Sequence, residues 1–228
     1  MSEGIPPFLD RRPLVWSYTL LNTYEDICPH QAAHRFILKT VPFVETDAMR
    51  WGNQVHAAME LRVGGGKPLP ESMHQWEHFA AAVSGRGAQC ELKLGITADG
   101  RACDFFAKDV QGRGKVDVSI IKDISAFITD WKTGNSKYET AFELEIGALL
   151  LHALYPHLRR IFGCYVWLKE NRMGQLHDLS DTAGTWMRVQ HMFARLKADR
   201  ASGQFAKRQG PLCAYCPVKD CEFNRAVA

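Results

Sequence analysis

The chain has 228 residues, of which 46% are hydrophobic and 23% charged, and a formal net charge of +3. This balance fits an ordinary globular protein with a substantial core and excludes a disordered chain or one whose charge alone announces nucleic acid. The opening Met1-Ser2-Glu3-Gly4-Ile5-Pro6-Pro7 lacks a basic segment followed by an apolar run. The longest apolar stretch, Ile146 to Leu154, is broken by Gly147 and His152, so no export signal or membrane span is expected and the location read is cytoplasmic. In that compartment the seven cysteines read as thiols or metal ligands and not as a disulfide framework.

Taken in chain order, Ser17 reads as a helix N-cap, with Leu20, Leu21, Tyr24 and Ile27 following at helical spacing. Pro29 interrupts, and Ala32, Ala33, Phe36 and Ile37 resume the pattern to about Lys39. A second helix is expected from Asp47 to about Arg62, stopped by Gly64-Gly65-Gly66, and a third from Glu71 to Val83. The character then changes. Gln89 to Ile96, Cys103 to Lys108, Lys115 to Ile121 and Ala126 to Lys132 are strand candidates separated by turn residues. Tyr138 to Leu154 reads as a long buried helix closed by Pro156, Ile161 to Leu168 as a strand, and Asp181 to Arg200 as a final amphipathic helix. Helices first, then strands, then strand and helix alternating give an α/β core sheet with a helical cap built from both ends.

Asp130-Trp131-Lys132 is the most informative local feature. An acid and a lysine two apart on a strand share a face, so a carboxylate that could hold a divalent metal sits beside an ammonium that could reach a phosphate or a water. Asp117, on a strand whose Val116, Val118 and Ile120 are read as facing the other way, is a second acid. Its short link to Asp130 makes the two strands antiparallel neighbours. Burying Asp117 needs a partner, which a metal would supply. Glu91 is a third candidate acid, at the start of the strand-rich centre. His56, on the second helix, reads as either a hydrogen-bonded core residue or a ligand.

At the C-terminus, Cys213-Ala214-Tyr215-Cys216-Pro217-Val218-Lys219-Asp220-Cys221 indicates ligation of a metal or cluster, with one further ligand to be found. Cys90, Cys103 and Cys164 read as ordinary buried residues. Arg195, Lys197, Arg200, Lys207 and Arg208 form a late basic stretch that could hold phosphates or be a solvated helix face. The His30/His34 and His74/His78 pairs have no third ligand close by, and Gly64-Gly65-Gly66-Lys67 lacks P-loop spacing.

The ordered set Gly52-x-x-x-His56, Glu91, Gly114-x-x-Asp117 and Asp130-x-Lys132-Thr133-Gly134 follows an opening Ser17-Tyr18-x-Leu20-x-x-x-Tyr24-x-x-x-Cys28-Pro29. This set resembles RecB-like nucleases of the PD-(D/E)xK superfamily, of the AddB-like iron–sulfur type, over about residues 15 to 222. The resemblance implies a restriction-endonuclease-like core, a central mixed sheet flanked by helices. It implies one nuclease domain over 1–228, with a helical cap or arch at 15–86, an α/β core at 87–202 and a cysteine-bearing tail at 203–228 that clasps the first helix.

It also implies that His56, Asp117, Asp130 and the backbone carbonyl of Trp131 bind Mg²⁺ or Mn²⁺, with Glu91 as a further carboxylate. Lys132 then orients or deprotonates the attacking water, so the catalytic set is Glu91, Asp117, Asp130 and Lys132. Cys28, Cys213, Cys216 and Cys221 look similar to the cysteines that hold a 4Fe–4S cluster in such nucleases, with zinc as the alternative. Where the family carries Gln and then Tyr in the helix after the lysine strand, Glu145 and Leu149 are read as standing here. Tyr138, Glu145, Arg195 and Lys197 are the candidate DNA contacts. The activity implied is exonucleolytic hydrolysis of single-stranded DNA ends or flaps, in recombination, repair, phage replication or spacer processing. A helicase or recombination protein is the expected partner, and bacterial or phage-infected cytosol, or the nucleoid, the expected setting. The alternative is a catalytically silent or accessory nucleic-acid-binding subunit with a structural metal cluster.

Overall fold

In the computed structural model, which describes residues 13–137 and 139–224, Ser17 caps helix α1 (Tyr18–Asn22), its hydroxyl accepting the Leu20 amide at 3.3 Å. That bond satisfies one of the amides a helix start leaves unpaired. The helix widens into a π-helical turn at Thr23–Ile27, breaks at the extended Cys28 and restarts as α2 (Pro29–Ala32). Pro29 sits in the first turn, where its missing N–H costs nothing, and a second π-helical turn covers Ala33–Ile37. Helix α3 (Asp47–Gly65) is capped by the Thr46 hydroxyl. It runs into the glycine triplet before Gly66, at φ 66°, ends it in the left-handed conformation. The expected third helix is a 3₁₀ segment, Glu71–Trp76, continuing as α4 (Glu77–Val83).

The remaining elements are β1 (Gln89–Thr97), β2 (Ala102–Cys103), β3 (Val110–Lys122), β4 (Ser125–Lys132), α5 (Phe142–Leu154), β5 (Arg160–Trp167), β6 (Arg172–Met173), β7 (His177–Asp178) and α6 (Thr182–Ser202). Two expectations are corrected. Of Cys103 to Lys108 only Cys103 is strand, because this segment must cross from one side of β1 to the other. Helix α5 starts at Phe142; Tyr138, proposed as its beginning and as a DNA contact, lies outside the described residues.

The sheet runs β2-β1-β3-β4-β5-β6, with β7 also paired to β5. β4 and β5 are parallel and joined through α5, the crossover that parallel strands require, while the other pairings are antiparallel. Helix α5 covers one face: a methyl on Gly147 would lie 3.4 Å from Val116. The other face is covered by α3, α4 and the 3₁₀ segment, whose Val55, Met59, Val63, Met73, Trp76 and Ala80 cluster with Val118, Trp131, Val166 and Leu168. Trp76 adds a hydrogen bond from its indole N–H to the Leu168 carbonyl at 2.8 Å. This is the mixed α/β sheet flanked by helices that was expected.

By contact density the chain divides into Glu45–Thr185, which holds the sheet, and a second unit made of residues up to Val44 and from Trp186 onward. In the second unit the Tyr24 hydroxyl donates to Asp199 Oδ2 at 2.6 Å, and Arg195 pairs with Glu25 at 3.0 Å. Among the described residues no helix is long and apolar enough to cross a membrane.

Candidate functional site

Strand alternation fails between Val116 and Val118, and the site forms there. Val116 lies against α5, yet Val118, two residues on, belongs to the cluster under α3 and α4. On β1, Cys90 packs with that same cluster, while Leu92 is registered with Val116. Between them Glu91 takes a left-handed φ of 53°, and the β1–β3 register has no partner pair at Glu91 and Asp117. The expectation that Val116 and Val118 share one face is therefore corrected. A non-glycine residue in this region is strained, and around the break Glu91 and Asp117 both reach His56 of α3.

Asp117 is 7% exposed. Its Oδ2 accepts the Trp131 amide at 2.9 Å and lies 3.2 Å from His56 Nδ1, while Glu91 Oε1 lies 3.7 Å from the same nitrogen. Among the described residues His56, Glu91 and Asp117 are the set of three potential ligands whose atoms all lie within 4.8 Å of one another. Burial alone would lower the His56 pKa. Hydrogen bonds to Asp117 and Glu91 and the charges of Asp117 and Asp130 outweigh it and raise the value to about 10. With no metal, an imidazolium therefore balances the carboxylates; a divalent cation would replace that proton. Two hard carboxylates with one imidazole suit magnesium or manganese.

Lys132 and Asp130 share a face, as the spacing required, with Nζ 2.9 Å from Asp130 Oδ1. That oxygen is buried and has no partner of hydrogen-bond geometry, which leaves it able to take a further cation. Burial pushes the Asp130 carboxyl up against the pull of Lys132, with Asp117 and Glu143 adding to the rise. Lys132 Nζ also donates to Glu143 Oε2 at 2.6 Å and lies 5.2 Å from the Tyr165 ring. Burial would lower the lysine's pKa, but Asp130 and Glu143 raise it overall. The side chain is thus a held ammonium and not a free amine.

Glu143 escaped the sequence reading, which placed Glu145 at this point of α5. The two lie about 200° apart around the helix, and Glu143, in the first turn, reaches the lysine. Lys115, which pairs with Glu91, was also missed; its signal was its place two residues before Asp117. Hydrogen bonds hold the described residues of the linker from β4 to α5. The Ser136 amide donates to Glu170 (2.7 Å), the Trp167 indole to Glu139 (2.8 Å) and the Tyr165 hydroxyl to the Thr140 carbonyl (2.9 Å). Gly52, one turn before His56, faces Thr133 Oγ1, 3.5 Å from where its Cβ would stand.

In the second unit, Cys28, Cys213, Cys216 and Cys221 line one cavity of about 280 Å³. Cys28 Sγ accepts the Arg208 amide at 3.4 Å and Cys213 Sγ the Gly210 amide at 3.3 Å. Burial raises the Cys216 thiol, helped by the other three sulfurs and opposed by the Val218 amide. Cys164 is buried, and Cys90 and Cys103 are half-buried. Of the candidate DNA contacts in this unit, Arg195 is paired with Glu25 and Lys197 stands 5.0 Å over the Phe193 ring.

Two carboxylates and an imidazole within 4.8 Å, one strand from a held ammonium, are a donor set that could take a hard divalent cation. The chain belongs to the PD-(D/E)XK nuclease superfamily, whose family model matches residues 15–221. Among solved structures it is similar to SSO0001, at 13% identity and TM-score 0.50, covering 95% of this chain and 90% of that one. It is also similar to a "Putative exonuclease" from Eubacterium rectale, at 9% identity and TM-score 0.56, covering 94% and 88%. At these identities the likeness is of fold alone. No curated protein matches the chain.

Proposed function

We propose that the chain is a divalent-metal-dependent deoxyribonuclease that works as an exonuclease on single-stranded DNA ends or flaps. The observation that carries this reading is the His56–Glu91–Asp117 trio within 4.8 Å, one strand away from the Asp130–Lys132 pair. His56, Asp117 and Asp130, with the Trp131 carbonyl and Glu91, would hold Mg²⁺ or Mn²⁺. When bound, such an ion supplies Lewis acidity to a phosphoryl oxygen and acidity to a water. Lys132, fixed between Asp130 and Glu143, places positive charge where the phosphate gains negative charge, and it does so before the reaction begins. Its raised pKa supports charge stabilisation and water orientation over proton removal. The name of the Eubacterium rectale protein supports the exonucleolytic mode.

The same proposal assigns the four cysteines of the second unit to a 4Fe–4S cluster of the AddB-like type. All four line one cavity, and the amide donors to Cys28 and Cys213 are of the kind that stabilise cluster sulfurs.

The test is cleavage of 5′- or 3′-labelled single-stranded oligonucleotides with Mg²⁺, Mn²⁺ or EDTA, wild type against Lys132→Ala. Metal-dependent laddering that the variant lacks is expected, and survival of closed circular single strands would support an end requirement. A second reading, a silent DNA-binding subunit, draws on the two carboxylates that already occupy Lys132. DNA bound by the wild type but uncut under every metal would favour it over the first.

A further inference from the structure

The chain order β1-β2-β3 differs from the sheet order β2-β1-β3, so the link from β2 to β3 has to cross β1. It crosses at Gly95, where a Cβ would stand 2.8 Å from the Asp104 carbonyl oxygen and 2.9 Å from that of Cys103. Only a residue without a side chain lets the segment lie so low on the strand. The crossing carries Phe105 and Phe106 with it. Their rings meet nearly edge to face, with centroids 4.9 Å apart, and the Arg113 guanidinium stands 5.1 Å from one centroid and 5.8 Å from the other.

Gly95 is registered opposite Arg113, and Lys93 opposite Lys115. Directly opposed residues of an antiparallel pair share a face, so Lys93, Lys115, Arg113 and the phenylalanine pair lie on one side of the ribbon. Lys115 reaches back to Glu91 of the metal-ligand trio. From Asp117 to Arg113 is four strand residues, about 13 Å, the span of a few nucleotides.

Two features of this face suit a ligand. Lys93 is exposed and stands opposite Lys115, whose ammonium Glu91 already partners, and the Phe106 ring is 77% exposed. Phe106 is not loose: a neighbouring ring and a guanidinium brace it. The ligand that answers both is an anionic backbone carrying planar bases, and aromatic rings along a basic track are how single strands are held without reading sequence.

The geometry points to a nucleotide-binding subsite on the β1–β3 ribbon, in which Phe106, braced by Phe105 and Arg113, stacks a base of single-stranded nucleic acid while Lys93 and Lys115 pair with its phosphates on the way to the metal site. This rests on the nuclease reading above and names how that site would hold its substrate.

The test is fluorescence anisotropy of a short labelled oligothymidine and of an abasic oligomer of equal length, in EDTA so that nothing is cut. Phe106→Ala is expected to weaken binding of the intact oligomer about tenfold, the range for losing one stacking ring, and to leave abasic binding nearly unaltered. Phe106→Trp should restore the intact affinity, which a merely misfolded alanine variant would not explain. Equal affinity of Phe106→Ala and wild type for the intact oligomer, or equal losses on both oligomers, overturns the subsite. If the wild type still binds and, with Mn²⁺, cuts, the nuclease reading survives that result. A wild type that neither binds nor cuts overturns both. An unaltered affinity joined to lost self-association in sedimentation assigns the ring to protein contact instead.

Discussion

Lys132 has two carboxylate neighbours, and they differ in what they can do. Asp130 lies on the same strand and stays with the lysine whatever α5 does. Glu143 comes from the helix and fixes the direction of the ammonium. Removing the helix partner should therefore disturb position more than charge. Glu143→Ala should lower kcat about 10- to 100-fold with little change in KM, as expected for a small displacement of a reacting group. Glu143→Gln, whose amide oxygen still accepts the bond, should keep most of the activity; equal rates for Ala and Gln would sink the positioning role. His56 gives a prediction in pH. Its folded value of about 10 lies above the ordinary 6.5, so its stabilising contribution is complete below pH 6.5 and is lost as pH rises through about 10. Asp130, also raised, holds a proton in the folded state above the ordinary carboxylate range and so adds to the same trend. The melting temperature of the protein in EDTA should fall between pH 6.5 and 10, and His56→Gln should flatten that fall. A flat wild-type profile would contradict the imidazolium assignment.

At the scale of elements, the β1–β3 ribbon does the most for the site, through its irregularity. Regular alternation would have sent Val116 and Val118 to one face; the break lets Asp117 meet His56 of α3 while Val118 joins the cluster under the same helix. The crossing at Gly95 is the second irregular feature, and it is steric. The first atoms that a new Cβ meets are backbone oxygens, which cannot rotate away. Gly95→Ala should therefore cost about 1–3 kcal/mol, the usual range for overpacking, measured as a lower denaturant midpoint at unchanged slope. No loss would mean that the crossing segment moves freely. On the opposite flank of the unit, Trp76 is 4% exposed and ties the segment before α4 to Leu168. Its replacement by alanine should cost about 3–5 kcal/mol. Strand identities were legible in the sequence because β-branched runs and turn residues are local signals. The pleat reversal was not, because it depends on which helix covers which half of the sheet.

At the scale of the whole molecule, one unit holds the sheet with the acid trio and the other holds the four cysteines. The cysteines come from two segments far apart in the chain, Cys28 and Cys213 to Cys221, so a group bound by all four closes a long loop and stabilises by restricting the unfolded chain. Protein purified without oxygen should carry iron and sulfide and absorb broadly in the visible. Cys213→Ala should lose both the iron and several degrees of melting temperature. A colourless protein holding one zinc would replace the cluster assignment with the smaller ion.

The sequence by itself determined the order of helices and strands, the shared face of Asp130 and Lys132, and the candidacy of His56, Glu91 and Asp117. Each follows from local periodicity, capping or residue chemistry, which act over a few residues. Only the tertiary structure decided that Glu143 and not Glu145 meets the lysine, that the strand from Cys103 stops after one residue, and that Phe105 and Phe106 come to the face of Lys93 and Lys115. Helix phase, sheet order and the crossing at Gly95 are set by how distant segments pack, and no short window of sequence contains that information.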